Sequence, residues 1–254
     1  MRLWLRFLQR IVQMNLLKEL YQTNGKSGHE DEIKSIVRKE VSAVDATIAE
    51  DSFGNLFVTK GVAKEYPCVA AHLDEVHEPV QRHIMEENDR LFAIDGDGNS
   101  VGIGADDKNG VWLALMLLKE MPIMKVALFV QEEKDGDLSG CRGSNACDLH
   151  WFNDVKYVIE CDRKGCNDIV TFSEKAGIRL CDDNFIPQRL CMEYGYNPVN
   201  GGKTDVTALK QRGLTIPCCN ISCGYYNAHS DEEYTVIGEL LNCYDFVKKI
   251  VETM

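Results

Sequence analysis

Short apolar runs alternate along this chain with longer segments in which apolar residues recur at helical spacing. Runs of this kind are typical of buried strands, and they occupy residues 56–59, 68–72, 126–131, 155–161 and 216–222. Helical spacing is found over residues 16–21, 30–41, 109–119 and 237–251. The alternation predicts an α/β fold, a three-layer sandwich with a central mixed, largely parallel sheet.

Side chains that can bind a metal follow three of the predicted strands. His72, Glu132 and Asp162 each stand at the end of an apolar run, and open α/β sheets build their sites at the carboxyl ends of strands. Imidazole nitrogen and carboxylate oxygen are ligands that a divalent metal such as zinc takes. The ordered set of such positions is His72, Asp106, Glu132, Glu133, Asp162 and His229. The pattern indicates a two-metal hydrolase, in which bound metal activates water.

These residues lie in the stretches VAAHLDEV, GIGADDKNGV, LFVQEEKDG, YVIECDRKG and YNAHSDEEY. The stretches are similar to motifs of the co-catalytic zinc exopeptidase superfamily, and most of all to its tripeptidase (peptidase T-like) branch. The likeness covers residues 26–250. A later stretch, GGKTDVTALKQRGLTIPCCNISCGYYNAHSDEEY, resembles the closing segment of that family, except that Lys203 interrupts its Gly-Gly-Thr-Asp sequence. The resemblance implies a hydrolase with the zinc-exopeptidase fold that holds two divalent metal ions, with zinc as the first candidate.

The resemblance also assigns a role to each motif residue. It implies that the Asp106 carboxylate bridges the two metals and that a cis peptide bond follows it. Glu132 is implied as the general base, and Asp74 as the carboxylate that orients His72. The implied metal ligands are His72, Asp106, Glu133, Asp162 and His229. A carboxylate suits the bridging role because its two oxygens can hold cations about 3.5–4 Å apart.

Three functions are compatible with these motifs. The first is a metal-dependent exopeptidase, specifically an aminopeptidase that hydrolyses short peptides. The second is an amidohydrolase (deacylase) that removes an acyl group from an amino acid or a small peptide by the same water activation. The third is a non-catalytic metal-binding module. The presence of Glu132 argues against the third, because a module without turnover needs no general base.

The two hydrolase functions differ in what the cleft must recognise. A free α-amino group needs an acidic or metal-adjacent anchor, whereas an N-acyl group needs an apolar slot. Acidic residues near the motifs favour the amine and therefore the aminopeptidase. These residues are Asp106, Asp107, Asp135, Asp231, Glu232 and Glu233.

The spacing between the motifs is too short for a large inserted domain. Asp162 and His229 are 67 residues apart, and His72 and Asp106 are 34 residues apart, whereas larger relatives carry a lid or dimerisation domain at one of these points. Residues 14–254 are therefore predicted to form a single catalytic domain, with the oligomeric state left open. Without a lid, loops must close the cleft, and residues 135–142 and 182–203 are the candidates.

Charge and cysteine content narrow the class of protein further. The formal net charge of −12 excludes a nucleic-acid binder, since neutralising phosphates requires a basic face, and it disfavours anionic membrane surfaces. The chain has eleven cysteines, no paired C-x-x-C spacing and no secretory signal. These features indicate reduced, mostly buried thiols in a cytoplasmic protein, with disulfides as the alternative.

The first residues of the chain differ in character from the rest. Residues 1–13, MRLWLRFLQRIVQ, spread three arginines among apolar residues and are too short to span a bilayer. They are predicted to form a basic amphipathic extension that precedes the catalytic domain.

One acidic cluster has the spacing of a calcium-binding loop. Asp95, Asp97, Asn99 and Asp106 stand at its first, third, fifth and twelfth positions. Such a loop requires glycine at the sixth position, where this chain has Ser100. A turn that leads into the Asp106 motif is the preferred interpretation.

Overall fold

The computed structural model describes residues 14–133 and 140–254. The helices are α1 (described over residues 14–22), α2 (Asp31–Ser42), α3 (Ala105–Glu120), α4 (Arg142–Ala146), α5 (Gln188–Tyr194), α6 (Asp205–Gln211) and α7 (Ile237–Thr253). The strands are β1 (Ala46–Glu50), β2 (Leu56–Lys60), β3 (Tyr66–His72), β4 (His83–Glu87), β5 (Arg90–Ile94), β6 (Ser100–Val101), β7 (Met124–Phe129), β8 (Val155–Arg163), β9 (Asp168–Ser173), β10 (Ile178–Arg179), β11 (Asn197–Gly201), β12 (Cys218–Ser222), β13 (Tyr225–Tyr226) and β14 (Tyr234–Val236).

A nine-stranded mixed sheet forms the centre of the molecule. Its strand order is β1-β2-β7-β3-β8-β12-β9-β10, and β11 pairs with β9. The strands β7, β3, β8 and β12 are parallel neighbours, so their carboxyl ends lie at one edge of the sheet. All residues of β3 and β7 are buried, as expected for central strands covered on both faces. The predicted mixed, largely parallel sheet is confirmed.

Helices cover the central sheet on both faces and complete three layers. Successive side chains of a strand point to opposite faces, and β3 shows this clearly. Val69 and Ala71 belong to the apolar core that includes α1, α2, α3 and α7. Cys68 and Ala70 belong to a second core that includes Leu209 of α6. The predicted three-layer sandwich is therefore also the observed one.

A second, smaller sheet was not predicted from the sequence. Its order is β13-β14-β5-β4, with β6 paired to β5, and its strands are antiparallel. The strands β4, β5 and β6 lie between His72 and Asp106 in the chain, so these 34 residues are more than a connection. The strands β13 and β14 flank the segment that carries His229. The strands β6, β13 and β14 have only two or three residues, and β4 is mostly exposed, so none of these four gives an alternation that would reveal the sheet.

The structure also describes the acidic turn after β5, the cysteines and the lengths of the helices. Asp95 accepts hydrogen bonds from the backbone N–H groups of Asp97 and Asn99, at 2.9 Å each, in the turn between β5 and β6. All eleven cysteines lie in the described residues and none of them forms a disulfide. Within the described ranges, no helix is long and apolar enough to cross a membrane.

Two predictions fall on residues that the structure does not describe. The basic extension at residues 1–13 lies outside the described residues, so the domain boundary at residue 14 stays a prediction. The candidate loop at residues 135–142 lies mostly outside them as well.

Candidate metal centre

The carboxyl edge of the parallel strands brings most of the predicted site together. His72 is the last residue of β3, Asp162 lies near the end of β8, and Glu132 and Glu133 follow β7. Because these strands are neighbours in the sheet, residues that are far apart in the chain share one site. This is the position at which open α/β sheets bind ligands.

The remaining two residues reach the same edge from other elements. Asp106 lies at the start of α3, where its backbone is non-helical (φ −83°, ψ 101°) and the Asp106–Asp107 peptide bond is cis, as the resemblance implies. His229 lies in the loop between β13 and β14 with a φ of 64°. The second sheet therefore supplies one side of the site.

Asp106 stands between two histidines, and each of its oxygens faces a different one. Its Oδ1 is 3.1 Å from Nε2 of His72, and its Oδ2 is 3.3 Å from Nε2 of His229. Asp162 Oδ1 lies 3.7 Å from the same His72 nitrogen, and Glu133 Oε1 lies 2.7 Å from the His229 nitrogen. The five residues thus form two groups that share the Asp106 carboxylate.

The donor set fits divalent cations. Potential ligand atoms of Asp106, Glu133 and His229 all lie within 4.8 Å of one another. These donors are carboxylate oxygens and imidazole nitrogens, which suit zinc and similar metals. Uncompensated burial of several carboxylates is costly, and a bound cation would offset it. The group around His72 and Asp162 offers the same chemistry.

The carboxylates around His72 and His229 raise the pKa of both imidazoles. Burial alone would lower the pKa of His72, but its contacts with Asp106, Asp162 and Asp74 outweigh burial and raise it. Contacts with Asp106 and Glu133 raise the pKa of His229 to about 10. Burial opposes ionisation of Asp106, yet His229 and His72 keep its pKa low. Metal and protons therefore compete for the same nitrogens.

Adding zinc to the metal-free protein at neutral pH should release protons into a weakly buffered solution, because only neutral imidazole binds metal. Each of these two histidines is protonated at any pH below its raised pKa, and the proton must leave before zinc binds. Zinc affinity should therefore rise with pH until both protons are lost. A pH-stat titration measures the release. The His229→Ala variant should release less, and His83→Ala, which changes an exposed histidine, should match the wild type. Proton release that is equal in all three would contradict the assignment.

Asp74 contacts more than the histidine that it was predicted to orient. Its Oδ1 lies 3.5 Å from Nδ1 of His72, while its backbone carbonyl lies closer to that nitrogen, at 3.0 Å. Its two carboxylate oxygens accept the backbone N–H groups of Glu132 and Glu133, at 2.8 and 3.0 Å. Asp74 therefore fixes the Glu132–Glu133 pair as well as the imidazole.

Glu132 lines the cleft beside the two groups. Burial raises the pKa of its carboxyl group, which favours a group that takes up and returns a proton. The Cys141 thiol donates a hydrogen bond to Glu132 Oε1 at 2.9 Å. This contact holds the carboxylate from the side of α4 and was not predicted.

Two of the acidic residues whose abundance favoured a free amine, Asp107 and Glu233, accept hydrogen bonds from the backbone. Asp107 accepts the backbone N–H groups of His72 and Gly110, at 3.2 and 3.0 Å. Glu233 accepts those of Gly104 and Asp106, at 2.7 and 3.0 Å. Both carboxylates are buried. They hold the Asp106 turn and are not available to bind a substrate amine.

Two more acidic residues of that set, Asp231 and Glu232, do not line the metal-centre cleft. Asp231 and Glu232 are exposed and line a separate cavity of about 480 Å³ on the second sheet, together with Arg90 and Tyr234. Asp135 lies outside the described residues. Among the described residues of the set, only Asp106 lines the cleft, and its oxygens face His72 and His229. The set therefore no longer argues for a free α-amino group in the substrate.

Asp162 is held by two residues that the sequence pattern did not single out. Asn220 on β12 accepts the backbone N–H of Asp162 at 2.9 Å and donates to its carbonyl at 2.7 Å. The Tyr225 hydroxyl donates to Asp162 Oδ1 at 3.2 Å. No local motif marks these two residues, since their role depends on strand pairing.

The cleft at the metal centre has a volume of about 230 Å³. It is lined by acidic and histidine residues of the site, Asp106, Glu132, Glu133, Asp162 and His229. Its other lining residues include three cations, Arg163, Lys164 and Lys203, and the small apolar residues Val170 and Ala228. Lys203 belongs to the predicted cleft-closing segment at residues 182–203, so one end of that segment does border the cleft.

No family model matches the sequence. Solved structures do match. Aminopeptidase PepT from Bacillus cereus superposes with a TM-score of 0.78 at 17% identity, over 94% of this chain and 97% of that chain. The chain has an aminopeptidase fold. A tripeptidase from Staphylococcus aureus gives a TM-score of 0.78 at 16% identity, over 94% and 97% of the two chains.

An archaeal enzyme also shares the aminopeptidase fold. Aminopeptidase APDkam598 from the archaeon Desulfurococcus kamchatkensis gives a TM-score of 0.70 at 18% identity, over 97% of this chain and 96% of that chain. The fold expected from the resemblance to zinc exopeptidases is confirmed. At such identities an aminopeptidase fold is compatible with several chemistries, so the residues of the cleft must indicate which one operates.

Proposed function

We propose that the protein is a metal-dependent exopeptidase, an aminopeptidase that hydrolyses short peptides with Glu132 as general base. The observation that carries this proposal is the position of Asp106 between two histidine–carboxylate groups, with Glu132 in the same cleft. The aminopeptidase fold supports it. A bridging carboxylate beside a separate proton acceptor is an arrangement suited to hydrolysis.

The residues divide into two metal-binding groups. His72, Asp106 and Asp162 would hold one divalent cation. Asp106, Glu133 and His229 would hold the other. When bound, the cations would lower the pKa of a water molecule and polarise the scissile carbonyl group.

The chain itself supplies proton transfer and positioning. Glu132 accepts a proton from the attacking water and then delivers it to the leaving amine. Asp74 holds the backbone of Glu132, and Cys141 holds its carboxylate, so the proton acceptor keeps a fixed direction. Glu133 and Asp107 are fixed by backbone N–H contacts in the same way. Such rigidity matters because small displacements of a positioned group reduce rate strongly.

The size of the cleft favours a small substrate. Its volume is about 230 Å³. Pockets for drug-sized ligands are usually larger, at about 300–1,000 Å³. Short peptides fit this description better than folded proteins do. Among the described lining residues only Val170 and Ala228 are aliphatic, which does not provide the broad apolar slot of a deacylase.

Mass spectrometry of free and N-acetylated short peptides, incubated with the zinc-loaded protein, tests the proposal. Stepwise loss of residues from free N-termini is the expected result, and the Glu132→Gln variant should leave all peptides intact. Release of acetyl groups alone would move the assignment to a deacylase. No change in any peptide, with zinc confirmed bound, would support the non-catalytic module.

A further inference from the structure

Lys203 is the point at which the sequence departs from the family motif that it resembles, because it interrupts Gly-Gly-Thr-Asp. The structure places this residue in the lining of the metal-centre cleft, together with Lys164. The two lysines come from different segments, one before α6 and one directly after β8. A positively charged area therefore borders a site whose other residues are mainly acidic.

The two lysines differ from the third cation of the cleft. Arg163 pairs with Asp168, at 3.0 Å between Nη2 and Oδ2, so its charge is already compensated. Lys164 is exposed and Lys203 is half-buried. Within residues 14–133 and 140–254, neither lysine side chain has an ion-pair or hydrogen-bond partner. Their charges are available to a ligand in the cleft.

The backbone that carries Lys203 is fixed on both sides. The Ser173 hydroxyl donates to the carbonyl of Gly202 at 2.7 Å, and the Thr204 hydroxyl donates to Glu160 Oε2 at 2.5 Å. Ser222 likewise donates to the carbonyl of Lys164 at 2.8 Å. Lysines on anchored backbone lose less freedom on binding than lysines on a free loop.

We propose that Lys203, together with Lys164, binds a carboxylate of the substrate inside the metal-centre cleft. This inference rests on the proposed peptidase function and names its substrate class, short peptides with a carboxylate near the scissile bond. A compact ammonium group binds an anionic oxygen as a point charge. The carboxylate has two sources, the C-terminus of a dipeptide or an acidic side chain, and the test separates them.

Hydrolysis kinetics of matched peptides test the inference in the zinc-loaded protein. The substrates are Ala-Ala, its C-terminal amide, and the amide of Glu-Ala. If the C-terminal carboxylate is bound, Ala-Ala should have a KM at least about tenfold lower than its amide, as expected for a hydrogen bond to a charged group. If an acidic side chain is bound, the amide of Glu-Ala should have that advantage over the amide of Ala-Ala.

The Lys203→Met variant should raise the KM of the carboxylate-bearing substrate about tenfold and so remove its advantage over the amide of Ala-Ala. Lys203→Arg should keep most of the preference, which shows that charge is the cause. Lys64→Met changes an exposed lysine and should behave as the wild type does. Equal KM values for all three substrates in the wild type would overturn the inference. A Lys203→Met effect that is as large for the amide of Ala-Ala as for the carboxylate-bearing substrates would overturn it too.

A binding measurement separates this inference from the proposed function. Calorimetry of Ala-Ala and the two amides with zinc-loaded Glu132→Gln measures affinity without turnover. Carboxylate-dependent binding that Lys203→Met abolishes would support the inference even if the wild type cleaved no peptide. Hydrolysis by the wild type without carboxylate-dependent binding would keep the function and refute the role of Lys203.

Discussion

Replacing Glu132 by Gln is expected to lower kcat by about 10²–10⁴-fold, the usual contribution of a positioned acid or base. Glutamine keeps the size of the side chain and an oxygen that can accept the Cys141 hydrogen bond. It cannot take up the proton of the attacking water, so only the proton transfer is lost. Zinc content, measured by inductively coupled plasma mass spectrometry, should stay at the wild-type level.

Metal content makes this experiment decisive. Glu132 also has an oxygen within 4.8 Å of ligand atoms of His72 and Glu133, so it could act as a metal ligand instead. In that case Glu132→Gln would lose zinc together with activity. Retained activity would show that another group is the base. Glu65→Gln changes an exposed glutamate and serves as the matched control.

Replacing Asp106 by Asn is expected to lower both zinc content and activity. The asparagine side chain has no charge and only one acceptor oxygen, whereas the two carboxylate oxygens of Asp106 face His72 and His229 separately. The loss of zinc affinity should exceed the about 10–100-fold that removal of an outer-shell partner costs. Competition with a chelator measures the affinity, and zinc should also raise the melting temperature less than in the wild type.

The Asp45→Asn variant, which changes an exposed aspartate, should keep full zinc content. Circular dichroism separates metal loss from unfolding, because Asp106 also lies in the turn held by Glu233. A folded Asp106→Asn variant with two zinc ions bound at wild-type affinity would refute the bridging role.

The sequence predicted the centre of the fold better than its edges. The strands β3, β7 and β12 are buried along their whole length and β8 over most of it, and all four therefore appear as mainly apolar runs. Edge strands carry no such signal. The strand β4 has mostly exposed residues, and β10 and β13 have only two residues each. The spacing of apolar residues reflects which positions are buried. It therefore does not predict a strand that is partly exposed or very short.

The same distinction applies to the site. His72, Glu132 and Asp162 could be predicted because each follows a buried strand. Glu233 was counted among the acidic residues that favour a free amine, although it holds the Asp106 turn through two backbone N–H groups. Its partners are more than a hundred residues away in the chain, and no local pattern can report such a pairing.

The sequence by itself determined which residue types are present, their order and the strands that carry them. Those facts predicted the α/β sandwich and the residues that can bind metal. Only the tertiary structure decided that the Asp106 oxygens face two different histidines, that the second sheet supplies His229, and that Lys203 lines the cleft. The physical reason is that local patterns reflect burial, whereas a site depends on sheet order and packing between distant segments.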